Sequence, residues 1–111
     1  MKVHLIRRAT IVEFCLNNAQ SRIAFDSWQL QLKYANWTQP SHMQMTFPST
    51  DLLGNGTYRA VFDIGGNKYR MIVKYAFGLK QVHLFICWIG THSAYSKLCT
   101  MNLQYIIHLY N

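Results

Sequence analysis

The hydrophobic positions change period once along the chain. From Arg7 to about Asn36 they recur every three to four residues, with Ile11, Phe14 and Cys15 in one group and Phe25, Trp28, Leu32 and Ala35 in the next. That spacing makes a stripe along one side of a helix. Asn17 and Asn18 separate the groups, and short amide side chains compete with helical hydrogen bonds, so the pattern predicts a helical hairpin. Its stripes, Trp28 included, read as core. Both prolines, Pro40 and Pro48, fall in the stretch from Trp37 to Pro48, which reads as a connector with one short helical turn starting at Ser41.

Beyond the connector the period becomes two. Ala60, Phe62 and Ile64 alternate with Arg59, Val61 and Asp63, and Tyr69, Met71, Val73, Tyr75 and Phe77 alternate with Arg70, Ile72, Lys74 and Ala76. These are strands. Val82 to Ile89 is apolar at both parities, as in a strand covered on both faces. Gly65-Gly66-Asn67 and Gly78 supply tight connections, which predicts an antiparallel meander. Val3 to Ile6 adds an edge strand, and Thr91 or Ser93 starts a short helix running to about Leu98. The predicted fold class is α+β, with the N-terminal helices packed on one face of a curved antiparallel β-sheet and a short C-terminal helix. One domain spans 1–111. Its tail, 99–111, is apolar at Leu103, Ile106, Ile107 and Leu109 and reads as an extra strand, a packing helix or a divergent end.

A chain that is 50% hydrophobic can bury a core unaided. Cys15, Cys87 and Cys99 share no repeating interval, so reduced thiols are expected rather than a secreted disulfide framework. No stretch has the character of a signal peptide, and Val82 to Ile89 is far shorter than the ~18 apolar residues a membrane helix needs. A cytoplasmic protein with no membrane partner follows. The net charge of +7, with Glu13, Asp26, Asp51 and Asp63 as the only carboxylates, favours a polyanion: nucleic acid, an anionic lipid surface or an acidic protein.

Several chemistries fall away on spacing. Gly54-Asn55-Gly56 lacks the Gly-Lys-Ser/Thr of a phosphate loop and reads as a turn. The cysteines and histidines form no metal-ligand spacing, so no metal and no other cofactor is expected. No Gly-x-Ser-x-Gly is present for a Ser/His/Asp hydrolase.

Two segments remain. Gly65-Gly66-Asn67-Lys68-Tyr69-Arg70 sets Lys68 and Arg70 two apart at the expected start of a strand, hence on one face. Gly90-Thr91-His92-Ser93-Ala94-Tyr95-Ser96-Lys97 ends a strand in a turn followed by His92 and Tyr95, three apart on one helical face. Metal-free RNA cleavage by the 2′-hydroxyl needs a group that moves a proton and cations for the phosphorane-like charge. Imidazole suits the first task near neutrality, which selects His92. Arg70 and Lys68 suit the second, and Tyr95 and Lys97 are candidates to position the backbone or assist proton transfer. The plainer reading of His92 is a capping or hydrogen-bonded residue, and of Tyr95 a core aromatic. Lys2, Arg7, Arg8 and Arg22 form a basic surface suited to RNA or ribosome affinity.

These motifs, with Trp37-x-x-Pro40, Phe47-Pro48-Ser49 and Val61-Phe62-Asp63-Ile64 upstream, resemble the HigB-type toxins of bacterial toxin-antitoxin pairs, within the RelE-like superfamily. The resemblance covers roughly residues 1 to 98. It implies a RelE-like fold and an mRNA endoribonuclease acting on messages in translating ribosomes, neutralised by a HigA-like antitoxin with a DNA-binding helix-turn-helix domain. On the nuclease reading, catalysis is expected of His92, Arg70, Tyr95 and Lys97, and RNA binding of Lys68, Asn67, Thr91, Arg7 and Arg8. Relatives often carry acidic residues around the Tyr of the last motif, where this chain has Ala94 and Ser96. The alternative is a basic RNA- or ribosome-binding protein that blocks translation by occupancy; a third reading is a domain that only docks an acidic protein.

Overall fold

A computed structural model describes residues 1–110. β1 (Lys2–Ile6) leads into two helices, α1 (Arg8–Asn17) and α2 (Arg22–Lys33), joined by one 3-10 turn at Ala19–Ser21. The helical hairpin therefore forms as the periodicity requires. Phe25, Trp28 and Leu32 are the buried side of α2. The connector holds a 3-10 turn at Pro40–His42 that continues into α3 (Met43–Thr46), and Trp37, Met43 and Phe47 lock it to the core. Then come β2 (Asp51–Leu52), β3 (Arg59–Ile64), β4 (Tyr69–Phe77), β5 (Gln81–Thr91), α4 (His92–Thr100) and a 3-10 turn at Leu103–Tyr105.

The α+β class and the β3-β4-β5 meander stand as the sequence implies, in a sheet ordered β1-β5-β4-β3-β2. The expected antiparallel sheet is mixed at one edge, because β1 runs parallel to β5, from Lys2↔Gln81 to Ile6↔Phe85. Alternation fixes which residues of an edge strand face inward but not its direction. A parallel neighbour needs a long crossover, which the helices and the meander together provide.

Helices cover both faces of the sheet instead of one. Ala60, Phe62, Met71, Val73 and Leu84 pack with Phe25, Trp28 and Leu32. The opposite parity, Val61 and Ile72, packs with Leu98, Tyr95, Leu103 and Ile107 from α4 and the tail. Both parities of β3 and β4 are apolar enough to demand a cover. A bulge in β5 adjusts the fit: Ile72 pairs with Trp88 but Val73 with Ile86, which leaves Cys87 as the extra residue. Strict alternation would put Trp88 beside Ile86; the bulge moves Trp88 to the α4 face and returns Ile89 to the face of the N-terminal helices.

The tail is a packed cover. Arg59, 6% exposed, donates from Nη1 to the Gln104 carbonyl at 3.2 Å and the Ile107 carbonyl at 2.6 Å. The Leu109 amide donates to Cys87 O at 2.8 Å, at the bulge. Asn111 lies outside the described residues. Among the described residues no helix is long and apolar enough to cross a membrane. Arg59→Ala removes both charge-assisted bonds, so a loss of about 3 kcal/mol in unfolding free energy is expected, with faster amide exchange at Leu109. Unchanged exchange there would show that the guanidinium does not hold the tail.

Candidate active site

The β3–β4 turn, residues 65–68, opens with Gly65 and Gly66 in the left-handed region, both at φ +67°. A Cβ on Gly65 would also press on Ala24 at 3.2 Å. The turn fixes Ile64 opposite Tyr69 and Asp63 opposite Arg70. Around Arg70, 8% exposed, three acceptors converge. Asp63 Oδ1 lies 3.0 Å from Nε, Asn67 Oδ1 accepts from Nη2 at 2.5 Å, and the Tyr69 carbonyl accepts from Nη1 at 3.1 Å. A guanidinium has five N–H donors, so one hydrogen on each terminal nitrogen remains for a ligand. Arg70 is a held fork rather than a free arm. Asn67, expected to contact RNA, instead has its carbonyl oxygen engaged in holding that fork.

β5 delivers the second segment to the same place. Tyr69 pairs with Thr91 and Arg70 with Gly90. Thr91 caps α4, its Oγ1 accepting from the Ala94 amide at 3.1 Å, and the His92 amide donates to Lys68 O at 2.9 Å. The first turn of α4 is therefore stitched to the β3–β4 turn. Lys68 and His92 have adjoining backbones and exposed side chains. Lys68 belongs to the turn and not to the strand, since β4 begins at Tyr69; the expected sharing of one sheet face with Arg70 is replaced by a position on the rim.

Gly90 has a steric reason. A Cβ there would lie 2.4 Å from Cη2 and Cζ2 of Trp88, whose indole crosses over it. The indole in turn packs on Tyr95, with ring centroids 6.1 Å apart. Tyr95 is half-buried, and its phenol is pushed well above the ordinary tyrosine range, first by burial, then by a hydrogen bond with the Cys99 side chain and by the Asp51 charge; Arg70 opposes the shift. Tyr95 thus stays neutral and offers a hydrogen bond, not a base. The structure brings His92, Tyr95, Arg70 and Lys68 to one end of the sheet.

Other expected residues lie elsewhere. Lys97 is exposed, two positions from Tyr95, and residues so spaced do not share a helical face. Arg7 and Arg8 follow Ile6, which is opposite Phe85. Arg70 is opposite Gly90, five residues on, or roughly 16 Å along the strand. Arg7 instead lines a hollow with Lys74, Phe85, His108 and Tyr110. Asp63 was not singled out by sequence reasoning, although counting outward from the glycine turn pairs it with Arg70. Asp51, Cys99 and the Trp88–Gly90 contact carried no sequence signal. Among the described residues, no three His, Cys, Asp or Glu side chains are grouped as a metal ion would require.

A family model described as HigB toxin, RelE-like toxic component of a toxin-antitoxin system, matches residues 21–98. The chain belongs to the HigB toxin family. It is also similar to the mRNA interferase HigB of Escherichia coli O6:H1, at 30% identity over 99 residues, 86% of this chain and 91% of that one. The HigB match contains the β3–β4 turn and all of α4 through Leu98, so every residue of the cluster lies within it.

Two outcomes follow for this HigB cluster. Asp63→Ala leaves the Arg70 guanidinium largely buried without its carboxylate, and a loss of roughly 1–3 kcal/mol in denaturant unfolding is expected; a loss below about 0.5 kcal/mol would mean that the ion pair is dispensable. For Tyr95, the folded protein favours the neutral phenol more than the unfolded chain does. Its stabilisation is complete below the ordinary value of about 10 and disappears as pH rises through the folded value. Tyr95→Phe should move the alkaline limb of the melting-temperature profile to higher pH, against the background of Tyr75, Tyr110 and Cys87, which are also raised by burial. Superimposed limbs would rule out the coupling.

Proposed function

We propose that this HigB toxin is a metal-independent endoribonuclease that cuts messenger RNA on the ribosome in the bacterial cytoplasm and is restrained by a HigA-type antitoxin. The observation that carries the reading is the bond between the His92 amide and Lys68 O, which joins the backbones of two residues with exposed side chains, one an imidazole and one an ammonium, at the rim of the Arg70 site. The name of the Escherichia coli relative supports RNA cleavage as the activity.

In this mechanism the 2′-oxygen bonds to the neighbouring phosphorus while the bond from phosphorus to the 5′-oxygen breaks. The products are a 2′,3′-cyclic phosphate and a 5′-hydroxyl. His92 carries one of the two proton transfers, as base toward the 2′-hydroxyl or as acid toward the leaving 5′-oxygen, and solvent water carries the other, so the proton lost at the 2′-oxygen is matched by one gained at the 5′-oxygen. Lys68 and the two unused Arg70 hydrogens stabilise the charge that develops on the phosphorane oxygens. Tyr95, held neutral, donates a hydrogen bond to the backbone. Lys97, Arg7 and Arg8 contribute electrostatic attraction to RNA beyond the reacting phosphate, and the Thr91 hydroxyl, whose oxygen caps α4, keeps its hydrogen to donate to the RNA backbone.

A second reading, occupancy of the ribosome without cleavage, is favoured by the engagement of Arg70 with three protein acceptors. One experiment separates the two. Transcript 5′ ends are mapped after brief induction, and purified protein is assayed on ribosome-bound message with and without EDTA. Cleavage is expected to yield 5′-hydroxyl ends within translated regions, to survive EDTA, and to fall roughly 10²–10⁴-fold in His92→Ala. Growth arrest with an unchanged end profile would establish the blocker.

A further inference from the structure

α4 and the tail cover only part of their face of the sheet. Beyond Ile72 the same parity of β4 continues to Lys74, which pairs with Phe85, and Phe85 is opposite Ile6 on its other side. Side chains paired across a sheet project to one side, so Lys74, Phe85 and Ile6 form a row on the α4 face. Phe85 is 40% exposed, although β5 lies inside the sheet between β1 and β4, and the apolar cluster built by α4 and the tail does not include it. A hollow of about 300 Å³ opens over this row, with Arg7, His108 and Tyr110 as its remaining walls, at the lower end of the range for small-ligand sites.

Two more rings continue from Phe85 along the same face. His83 precedes it by two residues, with ring centroids 6.2 Å apart and a tilt of 33°. His4, opposite His83 on β1, follows at 5.8 Å and 32°. None of the three stands edge-on to the next. The charges around them have one sign. Arg7 and Lys74 are exposed and, among the described residues, have no carboxylate partner. Arg59, opposite Lys74 in the same row, is held by carbonyl oxygens. None of the four carboxylates lines the hollow; Glu13 bears on the Tyr110 phenol from outside it.

We propose that this row is a nucleotide subsite for single-stranded RNA, in which one base stacks on Phe85, Lys74 and Arg7 meet the adjoining phosphate, and the strip through His83 to His4 carries the strand onward. The proposal rests on the reading that the chain acts on RNA. Cations alone would suit an acidic peptide equally well. The rings decide between them, because every base has a planar face to stack, and Phe85 has an ammonium directly across the strand pair to meet the phosphate tied to that base. Lys74 and Arg70 share a strand parity, four residues or roughly 13 Å apart, so the subsite grips RNA on the face that carries the cleavage residues but outside the cleavage step.

The test uses the full chain with 2′-O-methyl oligoadenylate, which lacks the attacking hydroxyl and so reports binding alone. The ring resonances of Phe85 and His83 are expected to shift on titration. Phe85→Leu keeps an apolar side chain but removes the ring, and should weaken binding about tenfold, whereas Phe85→Trp should retain it. Lys74→Gln, at an exposed position, should reduce the slope of log affinity against log salt by about 1. Polyglutamate, an anion without planar rings, should bind the parent and Phe85→Leu equally. Unmoved rings at saturation, or full affinity in Phe85→Leu, overturn the subsite. So does a Phe85 ring that responds to polyglutamate and not to the oligonucleotide, since the face is then a protein interface. The nuclease reading fails separately: a protein that binds RNA through Phe85 but cuts no message keeps the subsite and loses the enzyme.

Discussion

The hydrogen bond from the His92 amide to the Lys68 carbonyl couples two segments that are far apart in the chain, and the chemistry of the site depends on it. It closes the gap between a glycine turn and the first turn of a helix. Because Tyr69 and Thr91 are already paired one residue further in, the bond extends the β4–β5 ladder past its end and carries sheet rigidity into α4. Side chains at such a joint inherit their positions from backbone bonds rather than from their own contacts. The backbones of His92 and Lys68 are thereby fixed relative to each other while both side chains stay exposed. Thr91 completes the joint by occupying the Ala94 amide, so the start of α4 is capped internally.

A sheet with both faces buried imposes a second constraint, which explains the local irregularities around the site. α4 must pack closely on β4 and β5, with Tyr95 on the same face as Arg70. The extra residue at Cys87 turns Trp88 onto the α4 face, and the absence of a side chain at Gly90 gives the indole room to cross it and reach Tyr95 at a tilt of 44°. Bulge, indole and glycine act as one device. Each alone would disrupt a strand; together they form the apolar wall that keeps the Tyr95 proton in place.

Much of the fold was legible because hydrophobic period and turn chemistry agree over long stretches. Phe25, Trp28 and Leu32 on α2 and the alternation from Tyr69 to Phe77 announce their elements directly. The direction of β1 was not legible, since five alternating residues look the same in either orientation. Nor was the bulge at Cys87, because a run apolar at both parities hides a slip between faces. In the candidate site the residue types and the two segments were readable, whereas the state of Arg70 was not. Sequence places a guanidinium beside the glycine turn, but only register and side-chain geometry show Asp63 and Asn67 holding it. Lys97 was readable too, since its spacing of two from Tyr95 within the predicted helix already puts it on another face.

The two buried arginines finally account for how an excess of cations becomes a directed field. Arg59 and Arg70 lie on the same face of the β3–β4 pair, and they are held differently. Arg70 has a carboxylate partner, which leaves the pair near neutrality. Arg59 is held by carbonyl oxygens alone, so its full positive charge persists beneath the tail, where it opposes the effect of burial on the Cys87 thiol. A charge embedded in low-dielectric surroundings is screened less than one on a mobile side chain. With Lys74 exposed on the same parity and Lys68 at the rim, the α4 face carries a fixed positive centre with mobile cations around it. Field from a fixed centre orients an approaching polyanion at no further cost in side-chain entropy. The surface lysines add mobile contacts for any polyanion that this field attracts.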